Sequence, residues 1–524
     1  MVASPHRLAS EAGLAALAAG GTAVDAAVAT AATIAVVYPH MTGVGGDSFW
    51  LVHDSRRSAV VGLNAAGRSA SAAGLSDYRA RFGSAIPVRG GAAALTVPGV
   101  VSGWWAAHEY SRARLGSSLA WTSLLERAIV HAREGFVPSP GQRRVTAAAS
   151  DLFAAAAPEE VRKTLWPVYH PDRLNTERFV QADLGRTLAT IAEGGADEFY
   201  RGALGRRIAA AADALGSPLR AEDFAAHRAE WVEPLRVPYR GGEAVSFPPP
   251  TQGFAALAIL ALLDGFDVAG LDETEYVHVL IEATKLAFED RDRYLTDPTV
   301  VSVPVERCLD LARLARRRTR ISGRAATPEG AGRVAGDDTI AIVATDAAGN
   351  AVALIQSLYH EFGSGVVAGD TGVLLQNRGA FFALDPAHPN ALAPRKQTAH
   401  TLIPSMYLVG GRPRLVYGTM GGEGQPQTQA ALVTRIVDRG LGPQAAVEAP
   451  RWLWGRTWGA ASRDLKIEAR FGADVVDGLR ARGHEVRVVE EWSDLMGHAH
   501  VIAIGADGVR GGSDPRADGA ALGR

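Results

Sequence analysis

The hydrophobic pattern divides the chain into a helix-rich first part and a strand-rich second part. Up to about residue 320, apolar residues recur mainly at helical spacing, as in Ser123–Phe136 and Tyr276–Leu295. The stretch Leu14–Val37 is apolar and rich in alanine, and Gly20-Gly21 interrupts it. Because paired glycines favour a break between helices, this stretch predicts two buried helices rather than one.

From Thr339 onwards the pattern is typical of strands. Thr339–Thr345 and Ala351–Ser357 are apolar runs joined by Asp346–Asn350, whose Asp, Gly and Asn residues favour a turn. Their near-continuous apolar content predicts strands that are covered on both faces. Further strand-rich stretches are "VVAGDTGVLLQN", "PRLVYGTMGG", "VRVVE" and "HVIAIGADG". The Gly/Ala/Arg-rich segment 322–336 separates the two parts, and we interpret it as a linker.

Composition excludes several classes of protein. The 524 residues are 47% hydrophobic and 21% charged, with a formal net charge of −2 and no basic run that stands out, so we expect no nucleic-acid or anionic-membrane partner.

The single cysteine, Cys308, allows no intramolecular disulfide and no cysteine metal site, and we expect a buried, inert thiol. The apolar run Ala26–Val37 spans only 12 residues, too few for a membrane helix, and we expect a cytoplasmic protein.

No cofactor or metal site is predicted from the sequence. The glycine-rich "GVGGD" stretch lacks the lysine and hydroxyl residue of a phosphate-binding loop. We therefore expect a protein whose chemistry comes from its own side chains and backbone.

Ten stretches, in order along the chain, carry a family resemblance. They are "GGTAVDAAVA", "YPHMTGVGGDSF", "TVPGVVSGWW", "AREGFVPS", "DEFYRGALG", "FPPPTQG", "EATKLAFEDRDRYLTDP", "AGNAVALIQS", "FGSGVV" and "GGSDPRADGAA". Over nearly its whole length the chain resembles the gamma-glutamyltransferase family of N-terminal-nucleophile hydrolases. The resemblance implies an α/β (α+β) fold, specifically a four-layer αββα sandwich.

The resemblance also implies that the chain is a proenzyme. The family's nucleophilic threonine lies ten residues before the glycine of its "DGNAV" motif, and Gly349 of "AGNAV" points back to Thr339. Self-cleavage between Asp338 and Thr339 would give a large subunit, 1–338, mostly helical with N-terminal strands and ending in a processing linker, 322–338. The small subunit, 339–524, would carry the nucleophile and the core strands. The two would stay together as a heterodimer, and a dimer of such heterodimers is left open.

Cleavage would give Thr339 the chemistry that the family needs. Its free α-amine, with a reference pKa of about 7.7–8.0, can accept the proton of its own hydroxyl. By resemblance, the backbone N–H groups of Gly421 and Gly422 form the oxyanion hole, although an ordinary turn is the alternative. Ser357 occupies the position of a hydroxyl that steadies the threonine. Tyr359 replaces the family's asparagine, and we expect it to contact the threonine, line the pocket or be a core aromatic.

The positions that bind a glutamyl head group depart from the family. Ala380 and Phe381 occupy the positions where the family has acidic residues for the α-ammonium, and His400 and Thr401 replace its twin serines. A zwitterionic substrate would lack a partner for its ammonium. The departures therefore place the usual transpeptidase activity in question.

The departing stretches have a resemblance of their own. "IQSLYHEFGSGVV", "LLQNRGAFFALDP", "AHTLIPSM", "YGTMGGEGQPQTQAA" and "APRWLWGRTWG" are similar to the oxamate amidohydrolase branch of the family. This implies a small amide substrate that bears a carboxylate. Arg378 is then the expected carboxylate clamp, with His400 and Thr401 as hydrogen-bonding candidates, and a surface ion pair is the alternative for Arg378.

Four functions remain open from the sequence. The preferred one is hydrolysis of a small amide, oxamate for example, through an acyl–Thr339 intermediate. A gamma-glutamyltransferase or glutathione hydrolase is the first alternative. A relative that cleaves an oxalyl-type group in a biosynthetic pathway is the second, and an unprocessed, non-catalytic binding protein is the third.

Self-processing gives the first testable prediction. The purified protein should separate into fragments of about 35 and 20 kDa, by residue share of the 55.0 kDa total. Thr339→Ala should leave one uncut chain of native fold, because the attacking hydroxyl is gone. Denaturing gel electrophoresis and N-terminal sequencing measure this outcome, and cleavage of Thr339→Ala at the same bond would refute it.

Overall fold

The structure, a computed structural model, describes residues 1–326, 338–455 and 462–524. The strands are β1 Val2–Ser4, β2 Asp47–Asp54, β3 Ala59–Ala65, β4 Glu230–Val232, β5 Leu235–Tyr239, β6 Gly242–Ser246, β7 Asp338–Thr345, β8 Ala351–Tyr359, β9 Ser405–Val409, β10 Arg412–Thr419, β11 Trp452–Trp454, β12 Leu465–Glu468, β13 Val486–Val489, β14 Ala499–Gly505, β15 Gly508–Ser513 and β16 Ala520–Leu522.

The helices precede, separate and follow these strands. They are α1 Arg7–Ala18, α2 Ala23–Val37, α3 Leu75–Phe82, α4 Val100–Tyr110, α5 Trp121–Glu134, α6 Pro140–Ala156, α7 Glu159–Tyr169, α8 Pro171–Leu174, α9 Ala182–Tyr200, α10 Ala203–Ala214, α11 Ala221–Ala226, α12 Gly253–Leu263, α13 Glu273–Tyr294, α14 Val305–Cys308, α15 Leu311–Arg318, α16 Gln425–Val437, α17 Pro443–Glu448 and α18 Ala473–Ala481. Within the described ranges, no helix is both long and apolar enough to cross a membrane.

Two antiparallel sheets form the middle of the molecule. The first has seven strands in the order β16-β1-β7-β8-β2-β3-β4, and the second has six in the order β15-β14-β10-β9-β6-β5. A small third sheet, β11-β12-β13, contains one parallel pair, β12 with β13. In the first sheet, β7 and β8 lie between β1 and β2, so the second half of the chain is paired on both sides by strands from the first half.

Alternating side chains on the central strands build two different cores. Ala341 and Val343 of β7 join Val416 of β10 in a cluster between the two sheets. Their neighbours Ile340 and Ile342 belong to the cluster formed with the helices on the opposite face. Because strand side chains alternate, β7 is covered on both faces, as its continuous apolar content predicts. Thr339 shares the parity of Ala341 and lies on the face towards the second sheet.

Helices cover the outer face of each sheet. α1, α2, α4 and α5 pack on the first sheet, and α12, α13, α16 and α18 form a cluster on the second. α2 is buried along its whole length, and its small alanine side chains allow neighbouring elements to approach closely. A reciprocal capping box between Thr22 and Asp25 fixes its first turn. The layers are therefore helix, sheet, sheet and helix.

Several predicted elements are confirmed. The break at Gly20-Gly21 separates α1 from α2, and the β7–β8 turn places Gly349 at a φ of 86°. Cys308 is buried, and burial raises the pKa of its thiol to about 11, which agrees with an inert thiol. Residues 327–337 of the expected processing linker lie outside the described residues.

One prediction about strand content is wrong. Residues 366–377 form a β-bridge between Val367 and Leu374 around a 3₁₀ turn, since Gly369 and Gly372 have positive φ and turn the chain back. The first part of the chain is mainly helical and also supplies the strands β1–β6. The sequence pattern does not reveal β4–β6, because such short strands have too few residues to show a clear period.

The close approach of the two sheets gives a prediction at Gly418 of β10. A Cβ atom there would lie 2.5 Å from Ile355 Cδ1 and 3.2 Å from Ala341 Cβ. Gly418→Ala should therefore lower the free energy of unfolding by about 1–3 kcal/mol through overpacking. Gly442→Ala is the control, since nothing lies within 4 Å of its added Cβ. Denaturant unfolding measures both, and equal midpoints for the two variants would contradict the expectation.

Candidate active site

Thr339 lies buried at the start of β7, on the face towards the second sheet. Its hydroxyl donates a hydrogen bond of 3.3 Å to Ser357 Oγ on the neighbouring strand β8. The structure thus brings together the expected nucleophile and the hydroxyl expected to steady it.

A bulge in the ladder singles out this threonine. Asp338 pairs with Tyr359, whereas the next registered pair is Ile340 with Gln356, so the register shifts at Thr339. Between these pairs β8 has two residues, Ser357 and Leu358, and β7 has only Thr339, so the extra residue of the bulge lies on β8. Thr339 therefore faces an irregularity in the neighbouring strand, beside Ser357.

The hydroxyl of Ser357 connects Thr339 to a buried arginine. Ser357 Oγ accepts the Tyr359 backbone N–H at 2.8 Å and lies 3.4 Å from Arg378 Nη2. The guanidinium of Arg378 is consequently two hydrogen bonds from the hydroxyl of Thr339.

Arg378 is held inside the protein. It opens a 3₁₀ turn, Arg378–Phe381, is 1% exposed, and donates from Nη1 to Thr401 Oγ1 at 3.1 Å. Its guanidinium carbon lies 4.1 Å from the centre of the Tyr359 ring, which is a cation–π distance. The surface ion-pair interpretation of Arg378 is therefore wrong, because the side chain is buried against hydroxyl groups and an aromatic face.

Tyr359 has an unusual backbone. Its φ of 87° lies in the left-handed region, which costs a residue with a side chain about 1–3 kcal/mol. The buried ring contacts Arg378 on its face and meets Phe381 edge-on, with 5.7 Å between ring centres. Tyr359 is fully buried and belongs to an apolar cluster with Phe254 and Phe381, which agrees with the core-aromatic alternative.

His400 is paired with a residue that the sequence analysis did not single out. His400 Nε2 lies 3.3 Å from Asp47 Oδ2, and both side chains are buried. Asp47 begins β2 opposite Ser357 in the ladder. Burial raises the pKa of Asp47 to about 7, and burial together with the charge of Arg378 holds the pKa of His400 well below its usual range. The sequence signal that could have identified Asp47 is its position at the end of "GVGGD", inside one of the stretches quoted for the family resemblance.

The glycine pair follows β10 and leads into α16. Gly421 and Gly422 have φ values of 131° and 50°, which residues with a side chain rarely adopt. Gly418, three residues earlier, packs against Ala341, two residues after Thr339. The pair therefore leaves the second sheet close to the point where β7 begins.

Gln252 and Arg291, also missed from the sequence, hold this loop in place. Gln252 Nε2 donates to the carbonyl oxygens of Gly422 and Thr401 at 2.8 and 3.1 Å. Arg291 Nη1 donates to Gln252 Oε1 and to the carbonyl of Glu423. Both residues fall in stretches quoted for the family resemblance, but nothing in their spacing reveals that they meet.

A cleft of about 730 Å³ reaches the turn that carries Arg378. Ala380 and Phe382 line one side of it, and Ile86 and Val88 line the other. Its walls are mainly apolar side chains, and Thr339, Ser357 and Arg378 are not among the residues that line it.

Three further buried residues come together away from this site. The ligand atoms of His278, Glu282 and His484 lie within 4.8 Å of one another. His278 Nε2 donates to the carbonyl of Ser322, and Glu282 accepts from the Ala326 backbone N–H. These hydrogen bonds hold Ser322 and Ala326, at the start of the expected linker, against the three buried side chains.

Comparisons with known proteins agree with this architecture. The family model described as gamma-glutamyltranspeptidase matches residues 9–524. The chain is 47% identical to the glutathione hydrolase-like YwrD proenzyme of Bacillus subtilis, over 100% of this chain and 98% of that protein. It is 44% identical to the oxamate amidohydrolase proenzyme of Klebsiella pneumoniae, again over 100% and 98%. The crystal structure of cephalosporin acylase from Bacillus halodurans superposes with a TM-score of 0.91 at 36% identity, covering 99% and 94% of the two chains.

The four layers and these structural matches define an N-terminal-nucleophile hydrolase fold, which confirms the predicted fold class. The chain belongs to the gamma-glutamyltranspeptidase family. It is an enzyme, so the non-catalytic alternative is excluded.

Gln252 gives the prediction of this section. Gln252→Ala removes the side-chain amide that donates to the carbonyl oxygens of Gly422 and Thr401. The glycine loop then loses its fixed position, so kcat/KM should fall by about 10- to 100-fold. Gln444→Ala is the control, since that exposed amide also donates to a backbone carbonyl, that of Ser513. Steady-state kinetics on the cut enzymes measure the effect. Equal losses in the two variants would show that the contact has no special role.

Proposed function

We propose that the chain is a self-processing N-terminal-threonine amidohydrolase, with oxamate as the best candidate substrate. Cleavage between Asp338 and Thr339 divides it into subunits 1–338 and 339–524, which remain together as a heterodimer. The mature enzyme adds water to oxamate and releases oxalate and ammonia. Its partners are this small-molecule amide and its own second fragment.

Processing begins at Thr339, opposite the bulge in β8. The Thr339 hydroxyl attacks the carbonyl carbon of Asp338, and the peptide C–N bond breaks as the acyl group moves to oxygen. Water then hydrolyses the ester, which leaves a carboxylate on Asp338 and an α-amine on Thr339. The proenzyme names of the Bacillus subtilis and Klebsiella pneumoniae relatives support this step.

Catalysis uses the two groups that processing leaves on one residue. The Thr339 α-amine takes the hydroxyl proton as the oxygen attacks the substrate amide carbon. The backbone N–H groups of Gly421 and Gly422 stabilise the oxyanion, and Ser357 keeps the hydroxyl oriented. The amine returns the proton to the departing ammonia. Water then attacks the acyl–Thr339 ester by the same route and releases the acid.

The position of Arg378 is the observation that carries the substrate assignment. Its buried guanidinium lies two hydrogen bonds from the nucleophile, through Ser357, and it also contacts Thr401. A carboxylate bonded directly to the reacting amide carbon fits so short a separation. Ala380 and Phe381, at the positions of the family's acids, carry no charge to bind an α-ammonium.

A gamma-glutamyl amide is the second candidate. It is favoured by the 47% identity to a relative named glutathione hydrolase-like. Two relatives from Pseudomonas strains, 34% and 33% identical, are named acylase. An oxalyl-type amide with a larger leaving group would keep the contact to Arg378 and extend along the cleft.

Substitution of Arg378 distinguishes these candidates. With oxamate as substrate, Arg378→Ala should lower kcat/KM by about 30- to 1,000-fold, since the main contact of a very small substrate is lost. Arg378→Lys should recover part of the loss, because lysine supplies charge without bidentate geometry. Both variants should still be cut, since cleavage needs Thr339 rather than the clamp.

Kinetics on oxamate and on a gamma-glutamyl anilide measure the outcome. Arg435→Lys is the matched control, because Arg435 is also buried but donates to backbone carbonyls, among them that of Ala446. A wild type that prefers the anilide would refute the oxamate assignment. So would full oxamate activity in Arg378→Ala.

A further inference from the structure

A buried acid–imidazole pair lies beside the proposed substrate site. Asp47 Oδ2 and His400 Nε2 are 3.3 Å apart, and each residue is at most 1% exposed. The other ring nitrogen of His400, Nδ1, has no hydrogen-bond partner among the described residues. A buried polar atom without a partner is costly, so it is a natural contact for a ligand.

Asp47 is held in a single orientation. Its Oδ1 accepts the Gly67 backbone N–H and the Gln376 side-chain amide, each at 2.9 Å. Only Oδ2 is turned towards His400. The carboxyl group therefore acts on the imidazole through one oxygen, as in an acid that orients a catalytic histidine.

The number of protons on the pair decides what His400 offers to a ligand. With one proton, held between Asp47 and Nε2, the Nδ1 atom carries a lone pair and can only accept. With two protons, Nδ1 carries an N–H wherever the shared proton lies between Oδ2 and Nε2. The pair is then neutral overall, and it presents a donor.

We propose that Asp47 is a positioning residue that makes His400 Nδ1 a hydrogen-bond donor to the substrate carboxylate, so that carboxylate binding takes up one proton at the Asp47–His400 pair. This rests on the proposed function, in which Arg378 holds that same carboxylate. The proton comes from solvent, and no bond other than the N–H is made. His400 then distinguishes a charged carboxylate from a neutral group of similar shape.

The surroundings allow the second proton near neutral pH. Burial raises the pKa of Asp47 to about 7, although hydrogen bonds from Gly67 and Gln376 and the charge of Arg378 oppose the rise. Arg378 also disfavours an imidazolium at His400. Tyr200 of α9 also lies near Asp47, and burial raises its pKa, so it stays neutral. The proton is therefore shared by a neutral pair beside the positive charge of Arg378.

Asp47→Asn isolates this effect. Its Oδ1 can still accept from Gly67 and Gln376, while its Nδ2 donates permanently to His400 Nε2. The ring is then fixed as the Nδ1–H tautomer at every pH. The measurement is the inhibition constant of oxalate against oxamate hydrolysis by the cut enzyme, from pH 6 to 9.

The expected readout is the ratio of wild-type to Asp47→Asn inhibition constants. It should rise about tenfold per pH unit above the apparent pKa of the pair, since only the wild type must take up the proton. The Thr339 α-amine is common to both enzymes and cancels in the ratio. Asp54→Asn, at the other end of β2 and equally buried, should keep the wild-type profile.

A constant ratio across this range would overturn the proposal while leaving the proposed function intact. A wild type that neither binds oxalate nor hydrolyses oxamate would overturn both. Should Asp47→Asn fail to mature, His400→Asn provides the second variant, because its amide N–H lies near the position of Nδ1 and does not titrate. Wild-type pH dependence in His400→Asn would equally contradict the assignment.

Discussion

A buried positive charge near the proposed nucleophile, Thr339, is the constraint on which the rest of the site depends. Removing a guanidinium from water costs several kcal/mol unless other groups replace its hydration. The partners of Arg378 include the hydroxyl of Thr401, the oxygen of Ser357 and the face of Tyr359. In the proposed function, a substrate carboxylate adds a charge-assisted contact to this guanidinium. The left-handed backbone of Tyr359 is understandable here, because it holds the ring over the guanidinium.

The same constraint limits the acidic groups that can lie near Arg378. An ionised carboxylate beside Arg378 would compete with the substrate for it. The raised pKa of Asp47 and the hydrogen bonds at its Oδ1 reduce that competition. Ala380 and Phe381 remove it altogether at the positions where relatives are expected to hold acids. The proposed preference for a carboxylate therefore depends on the acids that these positions lack as well as on Arg378.

Much of this could be predicted where the residues are adjacent in sequence or belong to a family motif. The β7–β8 hairpin follows from alternating apolar runs around a turn, and Thr339, Ser357 and Arg378 follow from motif positions. Asp47 and Gln252 could not be assigned in the same way, because their partners His400 and Gly422 lie far along the chain and only the folded sheets bring them together. The sequence pattern does not reveal the short strands β4–β6, because their pairing, rather than their own periodicity, makes them strands.

The topology also explains how a cut chain can remain one enzyme. β7 and β8, which carry Thr339 and Ser357, are flanked in the first sheet by β1 and β2 from the other side of the proposed cut. Separating the fragments would break both ladders and expose the apolar faces that β7 shares with α2 and β10. Asp47 and Gln252 belong to the large fragment, whereas His400 and Gly422 belong to the small one. The site is therefore built across the two fragments, and cleavage frees the Thr339 amine without releasing any group that surrounds it.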